Sequence, residues 1–349
     1  MIAIVIISVE MISRFFVWCK LLQYTPFPTS NEKTFLDYDE QLGHWHVKNS
    51  KSSLLKSGRY VNYSTNSFGM RDKEREVVSK DTRRVVVLGD SFVEGLGLND
   101  TERFTNILES STGIQHLNFG CSGYDPVREL LLYENLVVKF SHSDVFIFFL
   151  PLNDFYDTAE HEIKNYMPIA EKINGTYAIK YIGSYKTGSD KMKREDVIKN
   201  SINNYSYFLN ITRWNIHNYK HKGDKKFSDY SNVTYDNFSQ DQMDVVIYCL
   251  KRIVEAAKDK KVYLFIIPML SDFKFYEKAG YNFKLIYNLS KIEDVSSNFK
   301  LIDLLIPMYN EAKEQKIDLA DYSLPDDLHW GTIGNKVCAK IISNILYHR

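Results

Sequence analysis

Arg84-Val-Val-Val-Leu88-Gly89-Asp90-Ser91-Phe-Val-Glu94-Gly95 is the stretch whose reading decides the fold. Val85 to Leu88 is a short, wholly apolar run bounded by charge and by glycine, the signature of a parallel strand buried on both faces. Gly89 permits a sharp turn at its end. Ser91 is then left at the start of the next segment, with its Oγ and backbone N–H exposed at the strand's carboxyl edge.

Outward from this stretch the chain alternates strand and helix. Thr101 to Ser111 has helical spacing through Phe104, Ile107 and Leu108, with Asp100 as the expected N-cap. Ile114 to Phe119 reads as a second strand, Pro126 to Phe140 as a helix with proline in its first turn, and Asp144 to Leu150 as a third strand. The rhythm breaks from about 155 to 240, a stretch rich in Tyr, Asn and Lys, with a strand pair expected near Tyr177 to Tyr185 and one helix from Glu195 to Tyr219. It resumes with a helix over Asp241 to Lys258, strands over Val262 to Ile267 and Lys300 to Leu304, and a closing helix over Thr332 to Tyr347. Such alternation predicts an α/β domain from about 84 to 349, a parallel sheet covered on both faces, with 155–240 as an insertion that shapes its pocket.

Residues 25–83 read differently, as a β-rich extension. Tyr60-Val-Asn-Tyr-Ser64 alternates like a half-exposed strand, and Gly69 within Asn66-Ser-Phe-Gly-Met-Arg71 suits a tight turn. Residues 1–24 open on an apolar run from Met1 to Val9, interrupted by Glu10 and Arg14 before Phe15 to Trp18. Nine helical residues cover about 14 Å against roughly 30 Å of hydrocarbon. A longer span would hold two ionised residues, each costing on the order of 2.5–3.5 kcal/mol, softened by their i,i+4 pairing. A marginal anchor, an interfacial helix, a span begun upstream of Met1 and a helix packed on the domain are the readings; a membrane anchor is favoured.

The 349 residues carry 44 basic and 44 acidic side chains, so no global field favours nucleic acid. Four cysteines, Cys19, Cys121, Cys249 and Cys338, lack metal-site spacing and read as free thiols.

Four segments carry the chemistry. Gly89-Asp90-Ser91 supplies a hydroxyl that needs an adjacent base to be nucleophilic. Asn118-Phe-Gly-Cys-Ser-Gly123-Tyr124, after the second strand, offers the Gly123 N–H to a substrate oxygen. Pro151-Leu152-Asn153-Asp154, after the third, offers a side-chain amide, and one such oxyanion donor is worth about 3–4 kcal/mol of barrier. Asp326-Asp327-Leu328-His329, before the last helix, places a carboxylate and an imidazole in one turn. Asp326 is the expected orienting acid, with Asp327 competing for that role. Each segment alone is an ordinary cap, turn or surface residue. Together they supply what one active site requires, at the sheet edge where open α/β proteins bind ligands.

In this order the segments resemble the signature blocks of the SGNH (GDSL) hydrolase superfamily, over roughly Arg84 to Tyr347. Pro151 stands where the third block usually has glycine. The Gly-x-Ser-x-Gly elbow of α/β-hydrolases is absent, as are glycine-rich phosphate loops. The resemblance implies a flavodoxin-like three-layer α/β/α fold, with Ser91 as nucleophile, His329 as base and Asp326 as its partner. It implies an oxyanion hole of Ser91 N–H, Gly123 N–H and Asn153 Nδ2, with Asp90 and Asp154 in support. No metal or organic cofactor is implied. The apolar N-terminus and the Asn66–Arg71 segment resemble a membrane-anchored bacterial branch, which implies an extracytoplasmic domain. The expected activity is a serine esterase acting through an acyl-serine on a short acyl ester of a carbohydrate or glycolipid. The alternatives are an O-acyltransferase of an extracytoplasmic polysaccharide and a non-catalytic glycan-binding protein.

Overall fold

Period and capping dictate the elements. The computed structural model describes the chain except at residues 1, 20, 23, 25–34, 58, 81–82, 158–165, 185–193, 221–233, 326 and 348–349. Helix α1 (Ile2–Trp18) is followed by four short strands, β1 (Leu36–Asp39), β2 (Gly43–His46), β3 (Lys51–Lys56) and β4 (Arg59–Ser64). Then come β5 (Arg84–Leu88), α2 (Ser91–Glu94), α3 (Phe104–Thr112), β6 (Gln115–Asn118), α4 (Pro126–Asn135), β7 (Asp144–Phe149) and α5 (Pro151–Asp157). The middle holds β8 (Met167–Ile173), β9 (Thr176–Ile182), α6 (Arg194–Tyr205), α7 (Tyr207–Lys220) and α8 (Gln240–Ala257). The chain closes with β10 (Lys261–Ile266), α9 (Leu270–Ala279), α10 (Lys284–Ser290), β11 (Phe299–Asp303), α11 (Leu305–Gln315) and α12 (Thr332–Leu346).

Two compact units result. One comprises Met1–Lys33, Gly58–Tyr60 and Thr187–Tyr230; the other comprises Thr34–Ser57, Val61–Lys186 and Ser231–Arg349. Residues 187–230 of the expected insertion therefore group with the N-terminus.

The larger unit is built on a five-stranded parallel sheet of order β11-β10-β7-β5-β6. Counted along the chain that is 2-1-3-4-5, the flavodoxin-like order. The chain leaves β5 in one direction and passes β7, β10 and β11 in the other. Right-handed crossovers therefore send helices to opposite faces. Accordingly α3 and α11 pack with α12, while α4 packs with α8, giving three α/β/α layers. Strands β5 and β7 are buried along their whole length. Phe148 stacks on Phe265 at 4.8 Å in the resulting core. Burying each such ring stabilises the fold by roughly 1.5–3 kcal/mol.

Caps differ from expectation in one place. Asp100 opens a single 3-10 turn, and α3 starts only at Phe104; Glu102 reaches back to the Asn99 N–H at 2.8 Å. Elsewhere Asp125 caps α4 through Arg128 N at 2.9 Å, and Pro126 follows it at the first turn. Within residues 35–64, β1 pairs antiparallel with β2, β3 pairs with β4, and β4 alternates in burial. All four cysteines are free.

In the smaller unit the expected single helix over Glu195 to Tyr219 is two, α6 and α7, broken at Ser206. The reason lies in α1. Glu10 accepts from Tyr207 N at 3.0 Å, Phe208 N at 3.2 Å and Ser206 Oγ at 2.8 Å, so these amides turn to a carboxylate instead of carbonyls one turn back. Arg14 Nε donates to Glu10 at 2.7 Å, and its guanidinium lies 4.4 Å from the Tyr207 ring centre. No helix among the described residues is long and apolar enough to cross a membrane. The 17-residue α1 reaches about 26 Å at 1.5 Å per residue, and the expected transmembrane helix is not found among the described residues.

Candidate active site

The register of the sheet brings three loops together. Leu88 pairs with Ile147 and Val87 with Asn118, so β5, β6 and β7 end at nearly the same level. The order reverses here, between β5 and β7, which is where open α/β sheets form their ligand crevice.

Ser91 begins α2 directly after β5. Gly89 has φ +154°, and a side chain there would bring a Cβ within 2.3 Å of Val93, so the turn admits only glycine. Asp90 caps the helix through Phe92 N at 2.8 Å. Its other carboxylate oxygen accepts from Asn153 Nδ2 at 3.1 Å. That bond orients the amide and leaves its second N–H, while α5 carries Pro151 in its first turn, where a missing N–H costs nothing. Asp154 accepts from Leu150 N at 2.7 Å and so ties the end of β7 to α5. Both supporting carboxylates thus hold backbone, one beside Ser91 and one beside Asn153.

His329 Nε2 lies 2.7 Å from Ser91 Oγ. Its Nδ1 lies 2.5 Å from Asp327 Oδ1, and Asp327 also accepts the His329 backbone N–H at 3.1 Å. Asp327 therefore occupies the position expected of Asp326, which lies outside the described residues. The physical reason is the two-residue spacing: a carboxylate at that offset accepts both the amide and the ring N–H of the same histidine, as in an Asx turn. Oδ2 of Asp327 forms an ion pair with Lys56 of β3. Burial works against the Asp327 carboxylate, but His329 and Lys56 together hold its pKa well below the usual range. The Phe92 ring lies 5.0 Å from the His329 ring and fixes its plane.

The third loop hangs from the first, Cys121 N donating to Gly89 O at 3.1 Å. Gly123 is left-handed at φ +78°. Arg128 donates to the Gly123 carbonyl, and Glu94 accepts the Ser122 N–H at 2.6 Å. Behind this loop the site is acidic. Burial, with Asp90 and Asp125 nearby, pushes the fully buried Glu129 carboxyl well up, and burial raises Asp90 and Asp125 as well. Among the described residues one trio, His46, Glu94 and Cys121, brings possible metal-ligating atoms within 4.8 Å of one another. Glu94 is already engaged there by Ser122 N–H and faces His46 at 3.3 Å.

Sequence patterns did not single out Lys56, His44 or Arg71 for the site. Arg71 lies in the Asn66–Arg71 segment; it is buried and donates to the Glu94 and Gly95 carbonyls at 2.9 and 2.6 Å, pinning the end of the helix that begins with Ser91. Lys56 and His44 carry no local signal, because their partners lie far along the chain.

The fold and this site define a class: a three-layer α/β/α protein of flavodoxin topology with a serine, a histidine and an aspartate in hydrogen-bonded line at the carboxyl edge of its sheet. No protein-family model matches the chain, and no curated protein matches it. Among solved structures, it is similar to a protein from Desulfitobacterium hafniense provisionally assigned to a G-D-S-L lipolytic family, at 13% identity and TM-score 0.38, covering 76% of this chain and 100% of that one. It is also similar to a catalytic mutant of an acetylxylan esterase from Geobacillus stearothermophilus, at 12% identity and TM-score 0.41, covering 77% and 96%. A two-domain esterase active on acetylated mannans matches at 13% identity and TM-score 0.40, covering 76% of this chain and 48% of that one.

Proposed function

We propose that this protein is a serine esterase of the SGNH type. The observation that carries the reading is the line Ser91 Oγ, His329, Asp327, with contacts of 2.7 and 2.5 Å at the two ring nitrogens. His329 takes the Ser91 proton as Oγ attacks an ester carbonyl, and Asp327 steadies the imidazolium that forms. The tetrahedral oxyanion rests on Ser91 N–H, Gly123 N–H and the second amide N–H of Asn153. His329 then protonates the leaving alcohol, and an acyl-Ser91 passes its acyl group to water or to an acceptor hydroxyl. In that second half His329 takes the proton of the attacking water or hydroxyl and returns it to Ser91 Oγ as the acyl–Oγ bond breaks.

The substrate class in this reading is a short acyl ester of a carbohydrate. Its support is aromatic surface near the Gly123 loop. Tyr166 and Tyr181 stack at 5.5 Å and donate to the Glu40 and Gln41 carbonyls, beside the hairpin that carries His44. Flat aromatic faces of this kind suit sugar rings. The test is burst kinetics of the full chain with p-nitrophenyl acetate, beside Ser91→Ala and His329→Ala. A stoichiometric burst lost in both variants is expected. A folded wild type with neither a burst nor fluorophosphonate labelling overturns the esterase, leaving the glycan-binding reading. A slow phase accelerated by an acetyl-accepting oligosaccharide, with acetylated sugar recovered, would make the enzyme an O-acyltransferase.

We further propose that α1 lies in a membrane interface. Ile4 to Ile7, Met11, Ile12, Phe15 and Trp18 are exposed, while its Glu10 and Arg14 are bonded within the unit. Flotation of the full chain with anionic vesicles, compared with an Ile6→Asp, Phe15→Asp variant, tests this; equal flotation of both, or of neither, overturns it. An extracytoplasmic catalytic unit belongs to the same reading, and protease accessibility in spheroplasts tests it.

A further inference from the structure

The backbone around Ser122 and Gly123 is held from several sides, the flanking peptides by the sheet domain and the Ser122–Gly123 peptide itself by the β-rich extension. Strand β2 presents His44 and His46 at a spacing of two, on one face of the strand. His44 Nε2 lies 2.9 Å from the Ser122 carbonyl oxygen. A carbonyl only accepts, so Nε2 carries the proton and donates. His46 faces Glu94 at 3.3 Å, and Glu94 in turn accepts the Ser122 N–H at 2.6 Å. On the far side Arg128 holds the Gly123 carbonyl. Tyr124 closes the arrangement by donating its hydroxyl to the His44 carbonyl at 2.6 Å, with its ring edge-on to the imidazole.

Direction follows from peptide geometry. In a trans peptide the carbonyl and the next N–H point opposite ways, and no peptide among the described residues is cis. Pulling the Ser122 carbonyl onto His44 therefore drives the Gly123 N–H away from β2. That N–H has no hydrogen-bond partner among the described residues, and no side chain at Gly123 obstructs it. A glycine at φ +78° is otherwise free to rotate this peptide. Left unrestrained, a peptide flip would turn an oxyanion donor into an oxyanion-repelling carbonyl.

We propose that His44 is a positioning residue of the oxyanion hole: its Nε2–H bond to the Ser122 carbonyl fixes the Ser122–Gly123 peptide and aims the Gly123 N–H at the developing oxyanion. This rests on the esterase reading above. The β-rich extension is thereby part of the active site, supplying the brace that the sheet domain lacks. Burial, aided by the nearby Arg128 charge, lowers the His44 pKa to about 4, so the donor stays a single neutral N–H through the neutral range.

The test compares His44→Phe, which keeps a ring but loses the donor, with His44→Gln, which keeps an N–H donor. Each is assayed for kcat and KM on p-nitrophenyl acetate, and for inhibition by phenylboronic acid, which forms a tetrahedral adduct, against the product acetate. Expected for His44→Phe are a kcat lower by about 10–100-fold, a KM within about threefold, and boronate inhibition weakened in proportion while acetate inhibition is unchanged; losing one oxyanion donor outright costs about 10²–10³. His44→Gln is expected to recover most of the loss. Wild-type kinetics in both variants overturn the proposal, as do equal losses in both or equal weakening of boronate and acetate. A wild type with no Ser91-dependent burst would instead remove the esterase reading beneath it.

Discussion

Lys56 pairs with Asp327 on the carboxylate oxygen that His329 leaves open. The pair links a strand of the extension to the turn before the last helix, and it acts on the charge and the angle of the carboxylate that meets the His329 imidazole. Lys56→Met is expected to lower kcat about 3–10-fold with KM nearly unchanged. The pair is partly exposed and screened, so the loss stays modest. Raising the salt concentration is expected to narrow the gap between wild type and variant, which steady-state kinetics in low and high salt will measure.

The two neighbouring aspartates are expected to separate sharply. Asp327→Asn keeps the side-chain shape but takes the ring N–H acceptor away, favouring the wrong tautomer, and a fall in kcat of about 10³–10⁴ is expected. Asp326→Asn is expected to stay within about threefold of wild type. Parallel kinetics on the two variants decide between them; a larger loss in Asp326→Asn would return the orienting role to that residue.

Asn153→Ala removes the amide whose first N–H is held by Asp90 at 3.1 Å. A loss of about 10²–10³ in kcat is expected, with KM little changed. Asp90→Asn is expected to reproduce part of that loss and to lower stability by about 1 kcal/mol, since the cap on Phe92 N also weakens. Urea unfolding beside the kinetics distinguishes the two effects.

Acid stability should report a buried histidine away from the site. Burial lowers the His116 pKa to about 4, and its ring nitrogens lie 2.8 Å from the Ile114 carbonyl and from the Tyr347 hydroxyl. The unfolded chain takes up this proton near pH 6.5, the folded chain only near 4. Stability from neutral His116 is thus complete above 6.5 and falls as the pH drops through this window, by on the order of 2 kcal/mol at pH 5. Buried carboxyls with raised pKa values, such as Asp272 at about 6, act in the opposite sense. The clean measurement is therefore the difference between wild type and His116→Gln. The variant is expected to lose less stability between pH 7 and 5; equal losses would show that His116 is not buried and neutral.

Much of this molecule was legible because its signals are local. Val85 to Leu88 ends in Gly89 and Ser91, and a fully apolar run, a forced turn and a short helix follow from residues in immediate succession. The helix periods of α4, α8 and α12 and the strands β7, β10 and β11 were legible on the same ground. Helices α9, α10 and α11 were not singled out. The break between α6 and α7 was invisible, because the group that makes it is Glu10, nearly two hundred residues away.

By itself, then, the amino-acid order determined the alternating α/β architecture, the edge at which Ser91, Gly123 and Asn153 gather, and the pairing of Ser91 with His329. Backbone period and turn chemistry act over a few residues, so they can be read along a line. Tertiary structure alone decided that Asp327 takes the imidazole N–H, that Lys56 answers its second oxygen, and that His44 reaches the Ser122 carbonyl. Which way a side chain points within a turn, and which distant strand comes to meet it, depend on packing in three dimensions, and adjacent aspartates in a sequence are chemically identical until that packing separates them.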